Sequence, residues 1–188
     1  MKIILGSASP RRRELLSLLT KDFEVRVSDA DENYGSDVSL FDVPKVLSER
    51  KALVLPLKDD ELIIASDTVV ICKDKILGKP GTKENAVEML KMLSDGVHYV
   101  VSGITVRTAN KVYSEAVTSV VYMRPITEHE INTYVEKWNP VDKAGAYGIQ
   151  EMAGSFVSRI EGDFYNIVGL PLCRLTEILR DEFGVSLA

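Results

Sequence analysis

Along most of the chain, short apolar runs alternate with amphipathic stretches, the mark of strands interleaved with helices. Lys2 to Leu5 predicts a short buried strand, and Gly6-Ser7-Ala8-Ser9-Pro10 a tight loop. A helix follows from Pro10 to Thr20: Ser9 suits its cap, Pro10 its first position, and Leu15, Leu16, Leu18 and Leu19 form its apolar face. Phe23 to Val27 alternates as a strand, and the polar, acidic stretch from Ser28 to Ser39 predicts a functional or mobile loop. Asp42 to Leu55 is helical in pattern despite Pro44 in its first turn. Glu61 to Cys72 predicts one strand, or two with a break at Ser66-Asp67-Thr68, turning at 73–75 into Ile76-Leu77.

The second half continues in the same manner. Gly78-Lys79-Pro80-Gly81 is a loop, and Thr82 caps a helix through Leu93. His98 to Arg107 and Lys111 to Met123 pair as a long hairpin about Ala109-Asn110. Thr127 and Glu130 form a capping box for a helix to Trp138. Asn139 to Gln150 is a glycine-bearing loop, Ser155 to Ile160 a strand, and Pro171 to Phe183 a final helix closed by Gly184. No linker, repeat or low-complexity tract interrupts the 188 residues, so a single α/β domain, with room for two lobes, is expected.

Composition narrows the function. A chain that is 45% hydrophobic and 27% charged is globular, and the size scaling predicts about 9,000 Å² of folded surface. A net charge of -5 argues against broad nucleic-acid binding. Charges interrupt every apolar run well short of the roughly 18 residues of a membrane span, and the start is too short in apolar residues for a signal peptide, so a cytoplasmic location is expected. Cys72 and Cys173 are far apart and outside any CxxC pattern, which predicts reduced, mostly buried thiols. With only His98 and His129 and no HExxH spacing, a zinc enzyme or a histidine triad is disfavoured. Catalysis then rests on carboxylates, lysines, arginines and hydroxyls, a kit suited to phosphate chemistry with a hard divalent cation.

Four segments are candidates for that chemistry. Ser7 to Arg13 places Arg11, Arg12 and Arg13 in the first turn of a helix, where cations oppose the helix dipole and an anion would relieve the conflict. Backbone N–H groups, the Ser7 and Ser9 hydroxyls and guanidinium forks suit a phosphate chain, although solvated arginines on a capped helix are the plainer alternative. Asp67, inside an otherwise apolar strand, must be paired, metal-bound or aimed into a cleft, or else cap a turn at a strand end. Lys79 sits in a proline- and glycine-fixed loop that, taken alone, reads better as an ordinary surface turn. Asp142 to Gln150 is dense in small residues that permit close backbone approach, with Gln150 able to read a base edge as donor and acceptor together. Taken singly, Glu32 and Lys51 carry little signal.

Together, and in order along the whole chain, these segments resemble the Maf proteins, nucleoside triphosphate pyrophosphatases. Ser7-Ala8-Ser9-Pro10-Arg11-Arg12 resembles the family's opening motif, Ser66-Asp67-Thr68 its central acidic motif and Gly78-Lys79-Pro80 its lysine loop. Asp142 to Gln150 is similar to the branch acting on dTTP and UTP; where two glutamates are expected in the acidic loop, this chain has Asp31-Glu32. The resemblance implies an α/β fold of two lobes around an elongated, bent mixed sheet, like that of inosine triphosphate pyrophosphatases, with the site between the lobes. It implies hydrolysis of a pyrimidine nucleoside triphosphate to the monophosphate and pyrophosphate. It assigns Ser7, Arg11, Arg12, Lys51 and Lys79 to the triphosphate, Glu32 and Asp67 to Mg²⁺ or Mn²⁺, and Asp67 to activating water. Arg11, Thr68 and Gln150 are associated with substrate choice. A homodimer is left open. The competing expectation is a nucleotide-binding regulator of septum formation or cell division without essential turnover, but the sequence shows no exposed apolar stripe or tail for a protein partner.

Overall fold

The computed structural model describes residues 1–187. Its strands are β1 (Lys2–Leu5), β2 (Phe23–Val25), β3 (Glu61–Cys72), β4 (Lys75–Leu77), β5 (Val97–Arg107), β6 (Val112–Met123) and β7 (Val157–Glu161). Its helices are α1 (Pro10–Leu19), α2 (Val43–Leu53), α3 (Lys83–Leu93), α4 (Glu128–Trp138), α5 (Phe164–Val168) and α6 (Leu172–Phe183). The strands form one mixed sheet in the order β2-β1-β3-β5-β6-β7, with β4 also paired to β3. β1 runs parallel to β2 and β3, and the remaining pairings are antiparallel. The accessible surface is 9327 Å², close to the expected value, and no helix among the described residues is long and apolar enough to cross a membrane.

β3 is the spine. It is unbroken through Ser66-Asp67-Thr68, because β5 pairs with it continuously from Ile63↔Arg107 to Ile71↔Tyr99. Alternation sends its even-numbered residues to one face and its odd-numbered residues to the other. On the even face Leu62 and Ile64 pack with Leu15, Leu16, Leu175 and Leu179 of α1 and α6. Farther along the same face, Val70 and Cys72 pack with Leu90, Leu93, Ile131 and Tyr134 of α3 and α4. Ser66 and Thr68 stand between these two apolar cores, so the even face divides into two lobes where its side chains turn polar.

The odd face is covered by α2. Val43 and Leu47 pack on Val69, Ile71 and Val101, and Ala52 packs on Ile63 and Ala65. Ser48 Oγ lies 2.9 Å from Thr105 Oγ1. This close approach requires glycine at 103, directly opposite Asp67 on β5. A methyl group there would lie 2.0 Å from the Pro44 carbonyl oxygen.

Several elements differ from expectation. β2 stops at Val25 because its partner β1 ends at Leu5, whose carbonyl accepts the Arg26 N–H at 3.0 Å; the Arg26 side chain makes a bidentate contact with buried Glu61 at 2.5 and 2.7 Å. The strand expected from Ser155 begins at Val157, after a 3₁₀ segment at Met152–Phe156. α5 was not anticipated; Asp163 caps it by accepting from the Tyr165 N–H at 2.7 Å. Cys72 is buried as expected, but Cys173 is exposed on the solvent side of α6. Because Gly103 sets the distance between α2 and the sheet, Gly103→Ala is expected to lower the unfolding free energy by about 1–3 kcal/mol or more. Gly78→Ala, whose added methyl would meet nothing within 4 Å, should change it by less than about 0.5 kcal/mol. Urea denaturation of the two variants checks this, and equal stabilities would contradict the account.

Candidate active site

β1 covers the free edge of β3 only as far as Ile64, and β4 covers it only from Val70 onward. Residues 65–69 are therefore paired to β5 on one side and open on the other. β1 and β4 both end facing this gap, so the chain leaving each delivers its loop into it: Gly6 to Pro10 and then α1 from one side, Gly78 to Gly81 from the other. A cleft of about 690 Å³ occupies the gap, and Ser7, Arg11, Arg12, Glu32, Lys51, Asp67, Thr68, Lys79 and Gln150 all line it. The structure thus brings together the residues to which the resemblance assigns a role.

Arg12 is held rigidly. Its Nε donates to the Gly169 carbonyl at 2.9 Å, Nη1 to Ser7 Oγ at 3.3 Å and Nη2 to Thr68 Oγ1 at 3.2 Å. The Thr68 hydroxyl lies 2.8 Å from Ser102 Oγ, which donates to the Asn166 carbonyl at 3.0 Å. Burial pulls the Arg12 pKa down while the nearby Asp67 charge pushes it up. A guanidinium stays protonated regardless. Its three acceptors are all uncharged, and Arg11, Arg12 and Lys79 form no ion pair among the described residues. Ser9 caps α1 by accepting from the Arg12 N–H, and the first turn contains no acidic residue. Positive charge at a helix N-terminus with no carboxylate in contact with it suits an anion.

The opposite charge collects on Lys51. Its Nζ lies 2.5 Å from Asp67 Oδ1 and 2.9 Å from Glu32 Oε1. Lys51 and Asp67 are largely buried, whereas the Glu32 side chain is 72% exposed and reaches in from its loop. The hydrogen bond from Lys51 and its charge hold the Glu32 carboxyl below the usual carboxylate range. Among the described residues no group of three or more Asp, Glu, His or Cys side chains is arranged around a metal position. Two carboxylates converging on one cation nonetheless suit an ion such as Mg²⁺, which takes one or two carboxylates and completes its shell with water and phosphate oxygens.

The lysine loop and the glycine-bearing loop are tied together by two backbone bonds, from the Gly81 N–H to the Val141 carbonyl at 3.1 Å and from the Gly145 N–H to the Gly78 carbonyl at 3.2 Å. Gly145 has φ of 67° and Ala146 of 62°, so a left-handed turn reverses the chain there. Tyr147 points inward, buried, and Gln150 is exposed at the rim of the cleft. Lys143 Nζ lies 3.4 Å from Glu151 and 3.6 Å from Asp142.

Sequence reasoning missed the parts of the site that act through position. Gly169 contributes a carbonyl acceptor to Arg12 and Ser66, and it follows α5, which is too short to show a periodicity. Ser102 and Asn166 are buried polar residues. A hydroxyl inside an apolar strand is the visible signal for the first.

The family model for Maf-like protein matches residues 2–182. A dTTP/UTP pyrophosphatase of Clostridium novyi (strain NT) is 44% identical over an alignment of 192 residues that covers 100% of each chain. One from Parabacteroides distasonis is 45% identical over 183 residues, covering 95% of each. Among solved structures, the Staphylococcus aureus Ham1 protein aligns with a TM-score of 0.50 at 19% identity, over 97% of this chain and 100% of that one. That likeness is one of fold, and it matches the architecture expected from the sequence.

Thr68 joins Arg12 to the buried Ser102–Asn166 pair. Thr68→Val, which keeps the shape and deletes the hydroxyl, is expected to cost about 1–2 kcal/mol of stability. It should also shift the NMR signal of the Arg12 side-chain Nε–H. An unchanged denaturation midpoint with an unchanged Arg12 signal would contradict the network.

Proposed function

The chain belongs to the Maf-like protein family, and from that premise we propose that its cleft hydrolyses dTTP and UTP to the monophosphate and pyrophosphate. The observation that carries this reading is the pairing of uncompensated cations, Arg11, Arg12 and Lys79, with a carboxylate on the β3 spine, Asp67, across one gap in the sheet. A triphosphate brings the negative charge that the cations lack. In this reading Arg11 and Lys79 take its oxygens from opposite sides, and Ser7 adds a hydrogen bond. Arg12, already fixed by three acceptors, presents its charge without having to be ordered on binding.

Water attacks the α-phosphorus, the bond from that phosphorus to the bridging oxygen breaks, and pyrophosphate leaves. Asp67 takes the proton from the attacking water. Glu32 and Asp67 are the residues that would hold a divalent cation, Mg²⁺ or Mn²⁺, which supplies charge neutralisation at phosphoryl oxygens. Lys51 occupies that place in the structure, so a cation there requires its ammonium to turn away, and the triphosphate offers it an acceptor. Charge spreading over phosphoryl oxygens makes positioning and electrostatics the main contributions to rate. Disposal of nucleotides from the cellular pool is the role such a reaction would serve.

The reading is tested by incubating the protein with dTTP, UTP, CTP, ATP and GTP in Mg²⁺ or Mn²⁺ and measuring pyrophosphate release. Turnover of dTTP and UTP is expected, with purine triphosphates poor; release of orthophosphate alone, or none, would refute it. Asp67→Asn, nearly isosteric, should keep the fold and lose about 10²–10⁴-fold in turnover, the usual weight of a general base. Retention of more than a tenth of the activity at saturating metal would remove Asp67 from that role.

Gln150 is among the residues responsible for base choice, with Arg11 and Thr68. Uracil and thymine present acceptor, donor and acceptor along one edge, and a side-chain amide pairs with two of those groups at once. Cytosine inverts two of them, so an amide of fixed orientation is left with a mismatch, which costs more than a missing methyl. Gln150→Ala should therefore lower kcat/KM for dTTP and UTP and narrow their advantage over CTP. A UTP-to-CTP ratio unchanged in the variant would show that Gln150 does not read the base.

A further inference from the structure

His98 is fully buried on β5 and does not line the cleft. Its Nε2 shares a hydrogen bond of 2.8 Å with Tyr147 Oη, and the two rings meet edge to face at 5.5 Å and 83°. Its Nδ1 has no partner. Burial drives the imidazole pKa down to about 4, so the ring is neutral near pH 7. Burying an imidazole and a phenol against each other wastes polar groups unless their hydrogen bond does something that two apolar rings would not. A hydrogen bond fixes depth and rotation; an apolar contact allows sliding.

The segment above this pair needs such a constraint. Gly145 and Ala146 both have positive φ, and Ala146 pays a strain that glycine would not. Gly145 is also packed closely enough that a methyl would lie 3.1 Å from the Val70 side chain. Tyr147 and the three residues after it, Gly148, Ile149 and Gln150, line the cleft. A displacement of Tyr147 is passed along three residues of backbone to Gln150.

Resting on the base reading proposed above, we infer that His98 is a positioning residue for base selection, acting through the Tyr147 hydroxyl to set the loop that presents Gln150. His98 itself touches no substrate. Arg11 and Arg12 of the phosphate clamp stand on α1, apart from this segment, while the 78–81 loop is joined to it through the Gly145 N–H and the Gly78 carbonyl at 3.2 Å; the arginine part of the clamp should be little affected when the pair is broken.

The test compares His98→Phe, Tyr147→Phe and the double variant by kcat and KM on UTP and CTP. Each single variant is expected to lose about tenfold of the UTP preference, the weight of one well-made hydrogen bond. The loss should appear in KM for UTP with kcat nearly unchanged, and the double variant should fall no further than the singles. His98→Gln, which keeps a polar group in reach of Tyr147, should restore most of the preference. Variants that keep the wild-type ratio while melting earlier would reduce the pair to core packing and overturn the inference, as would additive losses. Should the variants fail to fold, the wild-type protein still answers. The ¹⁵N signal of His98 should move on adding a non-hydrolysable α,β-methylene analogue of UTP and stay still with tripolyphosphate. No movement with the analogue, or equal movement with both, overturns the inference. A wild type that turns over UTP and CTP alike would instead remove the base reading itself, and this inference with it.

Discussion

A twelve-residue strand, β3, is paired along its whole middle to β5 on one edge, while two short strands on its other edge stop before they meet. The open interval, residues 65–69, is what the rest of the site depends on. Strand ends aimed at a common gap deliver loops to it from both directions, so a phosphate-binding turn and a lysine loop far apart in sequence face each other. The same interval is where apolar side chains on β3 give way to Ser66, Asp67 and Thr68. The even face therefore splits into two apolar cores, one under α1 and α6 and the other under α3 and α4, with the cleft between them.

The cleft is electrostatically divided. One side holds Arg11, Arg12 and Lys79, of which Arg12 is bound to two hydroxyls and a carbonyl. The other holds two carboxylates that share the ammonium of Lys51. The carboxylates are satisfied by an internal cation, the Lys51 ammonium. Lys51 can reach Asp67 because α2 lies close on the odd face, and α2 lies close because residue 103 has no side chain. A backbone contact between Gly103 and Pro44 thus sets a charge contact about two helical turns away, Lys51 to Asp67.

The β3 region also shows how far pattern reading reaches. The run from Glu61 to Cys72 is plainly a strand, but its polar centre makes a break equally reasonable on local grounds. Only the continuous ladder with β5 decides that it is one strand. In the same way, the glycines of the 145–150 segment promise close approach to a ligand. In the structure Gly145 makes a left-handed turn against Val70 and sends Tyr147 inward to His98, leaving Gln150 at the rim.

By itself the sequence determined the α/β class and most of the element types, because these follow from periodicity and caps whose chemistry is local, while the candidate site residues were named through the resemblance of short motifs to a family. Ser9 before Pro10, the capping box of Thr127 and Glu130, and an aspartate inside an apolar strand all carry their meaning within a few residues. Partners remained for the tertiary structure to decide. That Arg12 is held by Gly169, that Lys51 bridges Glu32 and Asp67, and that His98 anchors Tyr147 depend on pairings between residues distant in the chain. Such pairings are set by strand register and helix docking, and those arise from the summed packing of two cores on one sheet rather than from the preference of any single segment.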